Sequence, residues 1–175
     1  RNILHVDAKR RELWIQTAGR VEGRDPYYQD ICRVNIDTGE LTPVVSGSEE
    51  YTVLCPGTMA HYMNRYYDPD RFINADAISP SSQYVITTRS RVDQAPVSLL
   101  LNRNGDTLLE IEAANISALP SDWKWPESVK TQAVDGKSMI DGAIFRPSSF
   151  SPDKCYPIID LGSNAPDVNC VPKGG

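Results

Sequence analysis

Apolar residues along most of this chain recur at every second position, which is the period of a half-buried β-strand. Leu13 and Ile15 share one face of such a strand, and Cys32 and Val34 share one face of the next, with Ile31 on the opposite face as an exception. Further short runs, rich in leucine or β-branched residues, lie at 84–88, 97–101 and 107–111. The pattern predicts a mainly β protein.

Two tight turns lie between pairs of these predicted strands. One contains Gly39, and the other contains Asn104 followed by Gly105. Asn-Gly is a strong short signal for a β-hairpin, because both residues tolerate the positive φ that a tight antiparallel turn requires. Each hairpin is preceded by other predicted strands, so the sequence indicates a repeated antiparallel unit.

The repeated unit has four strands. The first unit comprises the segments 3–7, 12–17, 30–36 and 41–45, and the second comprises 75–78, 84–90, 97–101 and 107–111. Four short strands in about 40 to 45 residues are typical of a β-propeller blade. A β-sandwich made of the same hairpins is the alternative.

Little helix is expected. The one candidate is the segment 113–119, with Asn115 or Ser117 as its N-cap and Pro120 as its stop. Residues 51–71, between the two units, form a long irregular insertion rich in aromatic and polar residues. Loops of that length are either functional or disordered.

The chain divides near residue 126, after a polar and aromatic linker that contains Trp123 and Trp125. Residues 1–126 are predicted to form a partial β-propeller of about two blades. Residues 127–175 begin with a hairpin whose turn is Asp135-Gly136-Lys137, and the apolar residues of its second strand predict partial burial. We expect the two tryptophans to pack within the linker rather than to form a peptide-binding clamp.

Composition excludes several classes of protein. The chain has 175 residues, 40% of them apolar and 23% charged, which is ordinary for one globular domain with a core. Its net charge of −5, with scattered lysines and arginines, argues against a nucleic-acid partner. No apolar run is long enough to span a bilayer as a helix. The chain starts without Met inside a predicted strand, so we expect it to be part of a longer protein.

Four cysteines (Cys32, Cys55, Cys155 and Cys170) match no zinc-finger spacing. A disulfide between Cys155 and Cys170 and a free buried thiol at Cys32 are both compatible with the sequence. The cysteines therefore do not distinguish an oxidising from a reducing compartment.

Three blocks of the sequence resemble the prolyl oligopeptidase and dipeptidyl peptidase IV family of serine peptidases. They cover 12–35, which is similar to a late propeller blade, 78–97, and 134–159. The second block contains Ser79-Pro80-Ser81-Ser82-Gln83-Tyr84, similar to the family's SPDGKY blade turn. In the third block Lys154-Cys155-Tyr156-Pro157 resembles the KKYPV segment at the entry into the family's hydrolase domain.

The resemblance implies the last blades of a β-propeller in residues 1–126. Residues 127–175 would then hold the first strands of an α/β-hydrolase domain and a divergent tail. It also implies that the full-length protein hydrolyses peptides, with the propeller limiting access to the active site. A periplasmic or secreted location is favoured by the resemblance, and a cytoplasmic one is compatible with it.

The catalytic residues of that family are not found in this sequence. A G-x-S-x-G nucleophile elbow is absent, and the two histidines, His5 and His61, suggest a structural and a surface role. Ser163 stands where the resemblance implies the oxyanion-stabilising Tyr, although Pro166 keeps the family's Pro. The tail after Pro166 departs from the family. Either the ending is divergent or the parent protein is catalytically impaired.

We therefore predict no catalytic, cofactor-binding or metal-binding residues in this chain, which alone should be inactive. Cys55 with His61, and the acidic residues Asp68, Asp70 and Asp76, form no convincing metal site. The alternative function is a β-rich binding or scaffold module without catalysis. Two blades cannot close a propeller, so self-association through exposed strand edges is expected.

Overall fold

The computed structural model describes residues 2–53 and 77–161 together with Val171 and Lys173, and within these residues it contains ten β-strands and no helix. The strands are β1 (Asn2–Asp7), β2 (Glu12–Ala18), β3 (Gln29–Asn35), β4 (Leu41–Val45), β5 (Glu50–Thr52), β6 (Tyr84–Arg91), β7 (Gln94–Asn102), β8 (Thr107–Ala113), β9 (Glu127–Gln132) and β10 (Met139–Ile144).

The strands form two four-stranded antiparallel meanders and one hairpin. Sheet 1 has the order β1-β2-β3-β4, sheet 2 has the order β5-β6-β7-β8, and β9 pairs with β10 alone. Each strand in the two larger sheets is hydrogen-bonded to the strand that precedes it in the chain. The prediction of a mainly β chain with four-stranded antiparallel sheets is confirmed.

Two details of the predicted elements are wrong. The first strand of sheet 2 is β5 (Glu50–Thr52), not the segment 75–78; within the described part of that segment, Ile78 makes only a single bridge to Val85. The expected helix at 113–119 does not form, because β8 continues to Ala113 and a turn follows. Residues 54–76, which include most of the predicted insertion, lie outside the described residues.

Sheets 1 and 2 pack face to face on one apolar core. Trp14 and Ile31, which are fully buried, form the centre of the contribution from sheet 1. The remaining buried members of this core are Leu4, Val44, Val45, Ile78, Val85, Leu99 and Leu101. Leu13 and Ile15, whose alternation predicted a buried face, lie on the other side of β2. Sheet 2 therefore covers the face of sheet 1 that carries Trp14 and Ile31, and Ile31 was the exception to the alternation in the sequence.

The turn between β7 and β8 comes into direct contact with sheet 1. Gly105 has a φ of +92°, a conformation that favours glycine. Its α-carbon lies so close to Val44 that a Cβ at this position would overlap the Val44 carbonyl oxygen. The glycine is thus needed both for the turn and for the approach of the two sheets.

The outer face of sheet 1, turned away from sheet 2, is apolar across all four strands. Two cross-strand rows form it: Ile3, Ile15, Cys32 and Pro43 make one, and Val6, Leu13, Val34 and Leu41 make the other. At the end of these rows Ile3 and Val6 are 61% and 55% exposed. The outer face of sheet 2 carries a similar row of Ile86, Leu100 and Leu109.

The β9–β10 hairpin makes no extensive contact with sheets 1 and 2. Met139 and Ile140, expected to be partly buried, are exposed, so that prediction is wrong. Residues 145–161 form no strand, and Ile158 and Ile159 are each 92% exposed. The entry into an α/β-hydrolase sheet stays a prediction.

Candidate functional site

Ser82, His5 and Asp7 form a buried polar cluster between the two sheets. His5 lies on β1, and its Nε2 is 3.1 Å from Oγ of Ser82, which precedes β6. The Asp7 carboxylate, at the end of β1, lies near enough to the Ser82 hydroxyl for that hydroxyl to lower the pKa of Asp7. A serine, a histidine and an aspartate thus meet in one place, so the arrangement has to be compared with a catalytic triad.

The geometry of this cluster is not that of a triad. In a triad the histidine lies between serine and aspartate and accepts the serine proton, whereas here Ser82 lies in the middle. Among the hydrogen bonds of the described residues, none joins His5 to Asp7, so no carboxylate orients the His5 ring as a triad requires. Ser82 is also only 1% exposed, so no substrate reaches it. The cluster fastens the two sheets together.

Asp7 is ionised within this cluster. Burial by itself raises the pKa of Asp7, but the Arg10 guanidinium and backbone N–H and the Ser82 hydroxyl lower it, and the pKa ends far below its usual range. Arg10 Nη1 lies 2.8 Å from Asp7 Oδ2 and also donates to the Ser81 carbonyl at 3.2 Å. Asp7 therefore organises one end of the interface between the sheets.

At the opposite end of the sheets, the loop between β2 and β3 is held by a buried ion pair. Both terminal nitrogens of Arg24 donate to the Asp30 carboxylate, each at 2.7 Å. Arg24 Nη1 also donates to the Gly47 carbonyl at 2.6 Å, and the hydrogen bond with Asp30 raises the Arg24 pKa above its usual value. This arginine is therefore a structural anchor of the loop.

The same loop carries a site that holds a positive charge. Lys173 Nζ forms an ion pair with Asp25 Oδ2. It also lies 5.4 Å from the ring centre of Tyr27 and 5.8 Å from that of Tyr28, which is cation–π distance. Asp25 Oδ1 accepts the Tyr27 backbone N–H at 2.9 Å, so the carboxylate is fixed by its own loop.

A cleft of about 460 Å³ lies between the linker and the β9–β10 hairpin. Trp123 and Phe145 line it, and both are exposed. Trp123 makes an edge-to-face contact with Trp125, with ring centres 6.2 Å apart. Arg146 at its rim donates to both oxygens of Glu127 and covers the ring of Phe150. The tryptophan pair thus packs together and still leaves one apolar surface open.

The other residues considered in the sequence give no site in the described part of the chain. Cys32 is a buried free thiol and Cys155 an exposed free thiol, so Cys155 forms no disulfide. Within residues 2–53 and 77–161, no group of His, Cys, Asp and Glu is arranged to hold a metal ion. Cys55, His61, Asp68, Asp70, Asp76, Ser163, Pro166 and Cys170 lie outside the described residues.

Sequence reasoning missed both polar clusters. Their members are far apart in the chain: His5 and Ser82 are separated by 77 residues, and Asp25 and Lys173 by 148. A signal for Ser82 was nevertheless present, because it occupies the glycine position of the SPDGKY-like turn and has a positive φ of 56°.

Comparison of the chain with protein-family models, with curated proteins and with solved structures found no match. Among the residues that the structure describes, no helix is long and apolar enough to cross a membrane.

Proposed function

We propose that this chain belongs to a prolyl-oligopeptidase-type serine peptidase, as the last blades of its β-propeller and the entry into its hydrolase domain. The observation that carries the propeller part of this proposal is the outer face of sheet 1, which is apolar across all four strands, together with one apolar row on the outer face of sheet 2. Alongside it stand the sequence blocks that resemble this family.

The apolar outer face of sheet 1 favours a propeller over a sandwich. A two-layer sandwich buries one face of each sheet and presents polar residues on the other. A propeller blade has a neighbour on each side, so both of its faces are apolar. Sheet 1 has apolar rows across all four strands on its outer face and Trp14 and Ile31 on its inner face. The sequential meander order of both sheets also fits consecutive blades.

In this proposal the blades form part of the passage that peptides follow to a nucleophile elsewhere in the protein. The Ser82 cluster is the one place in the described residues where serine, histidine and aspartate meet, and there Ser82 is buried and His5 makes no hydrogen bond to Asp7. We therefore expect the chain alone to be inactive towards peptides.

The coding sequence on both sides of this chain tests the proposal. We expect further four-strand repeats before it, and after it a G-x-S-x-G elbow followed by Asp and His. The purified chain should release no p-nitroaniline from a dipeptidyl p-nitroanilide. A flanking sequence without any hydrolase signature would contradict the proposal, and turnover by the purified chain would contradict its assignment as non-catalytic.

The open cleft at Trp123 favours a second candidate, a β-rich binding module without catalysis. Aromatic-lined grooves are used to dock proline-rich or apolar peptides. If the chain serves this purpose, a peptide library should select ligands whose binding is lost in Trp123→Ala and Phe145→Ala, whatever the flanking sequence encodes. If only the first proposal holds, the library selects no peptide that depends on Trp123 or Phe145.

A further inference from the structure

Asp25 and the rings of Tyr27 and Tyr28 surround the ammonium group of Lys173. Lys173 is only 5% exposed. Burial of an ammonium group is costly unless the charge is compensated. Here one carboxylate and two tyrosine rings provide the compensation.

The walls of this site depend on contacts that do not involve Lys173. The two oxygens of Asp25 accept different donors. Oδ1 accepts the Tyr27 backbone N–H, and Oδ2 accepts from the Lys173 ammonium. The Tyr28 N–H donates to the Asp25 carbonyl at 3.3 Å, and Arg24 anchors the loop to Asp30. Because these contacts do not involve Lys173, we expect them to hold the loop in its absence.

We propose that Asp25, Tyr27 and Tyr28 form a binding site for a primary ammonium group, which Lys173 occupies as an internal ligand and which an ammonium group of another peptide occupies in its absence. The carboxylate oxygen needs an N–H donor, which a primary ammonium supplies. The two ring faces attract its positive charge. This inference does not depend on the peptidase proposal, because it uses only the contacts of this loop.

The test uses the full chain and its Lys173→Gln variant, which keeps a long polar side chain and removes the charge. The probes are Nα-acetyl-lysine amide, norleucine amide with a free α-amino group, and Nα-acetyl-norleucine amide, which has no ammonium. Binding is followed by NMR through the ring resonances of Tyr27 and Tyr28.

We expect the Lys173→Gln chain to bind an ammonium probe in the millimolar range and to ignore Nα-acetyl-norleucine amide. The unmodified chain should bind the same probe at least about threefold more weakly, because the tethered lysine competes at a millimolar effective concentration. Adding Asp25→Asn to the Lys173→Gln chain should abolish its binding of the ammonium probe. Preference between the lysine and the free α-amino probe then tells which source of ammonium the site takes.

Three results would overturn the inference: no binding of either ammonium probe to the Lys173→Gln chain, equal binding of the uncharged probe, or equal affinity of the variant and unmodified chains. A Lys173→Ala chain, checked by circular dichroism for intact β-structure, guards against an effect peculiar to glutamine. If both variants keep their fold and bind no ammonium probe, Lys173 is only a structural contact.

Discussion

Ser82 combines a strained backbone with useful side-chain contacts. Its φ of 56° costs a non-glycine residue about 1 kcal/mol, and its hydroxyl joins His5 to Asp7 across the sheet interface. The hydroxyl is the reason why a serine is accommodated where the SPDGKY-like turn would have glycine.

Two substitutions at Ser82 separate these effects. Ser82→Ala removes the hydroxyl but keeps the strain, and we expect it to lower the free energy of unfolding by about 1–3 kcal/mol. Ser82→Gly removes the hydroxyl and the strain together, so it should be more stable than the alanine variant by about 1 kcal/mol. Urea unfolding of the three chains measures both differences. An alanine variant as stable as the glycine variant would show that the backbone is not strained.

Asp7 should make the stability depend on pH in the acid range. Its pKa is lowered in the folded chain, so the stability it contributes is complete above the unfolded pKa of about 4 and is lost as the pH falls towards the folded pKa. Asp7→Asn should therefore destabilise the chain at pH 7 and measurably less at pH 3, where the carboxyl is mostly protonated in the unfolded chain and still ionised in the folded one. Urea unfolding at both pH values gives the comparison, and an equal effect at the two would contradict the argument.

At the scale of the elements, turns decide how closely the sheets approach. Gly105 and Gly39 both have positive φ, 92° and 73°, but only Gly105 lies against another element. They form a matched pair in which the same substitution adds a steric overlap at one site only.

Gly105→Ala should destabilise the chain more than Gly39→Ala does. Both variants lose about 1 kcal/mol from the left-handed backbone conformation. Gly105→Ala must in addition move the β7–β8 turn away from the Val44 carbonyl, which loosens the core around Trp14. Thermal unfolding followed by tryptophan fluorescence reports both effects. Equal losses in the two variants would mean that the sheets can separate there at no cost.

The β2–β3 loop depends on the ion pair between Arg24 and Asp30. Asp30 is fully buried, so Asp30→Asn leaves a buried arginine without its counter-charge and should cost about 3–5 kcal/mol. Arg11 and Asp37 form a similar two-point pair on the surface, where Asp37→Asn should change stability little. Chemical unfolding of both variants tests the contrast, which a comparable loss in Asp37→Asn would refute.

At the scale of the whole molecule, the uncovered apolar faces should cause self-association. The sequence predicted association through strand edges, and the structure adds a face of sheet 2 on which Ile86, Leu100 and Leu109 lie in one row. We expect light scattering to show a mass that rises with concentration. Ile86→Lys should reduce this rise without lowering the melting temperature, because Ile86 is outside the core. A monomer at all concentrations would contradict both routes of association.

Much of the architecture could be predicted from local patterns. The Asn104-Gly105 turn and the alternation in β2 and β3 located hairpins that the structure confirms. The first strand of sheet 2 was misplaced because β5 is only three residues long and carries no periodic signal of its own. The expected helix at 113–119 was wrong because its few apolar residues have no surface to pack on, and short helices need such packing.

The sequence by itself determined most of the strands, their turns and the antiparallel hairpin pairing, because these depend on side-chain period and backbone preference over a few residues. Only the tertiary structure decided which face of sheet 1 is covered, through the packing of Trp14 and Ile31 against sheet 2. It also brought His5 to Ser82 and Lys173 to Asp25. Such contacts join residues far apart in the chain, and charge or hydroxyl groups find partners there because burial makes an unpaired polar group costly.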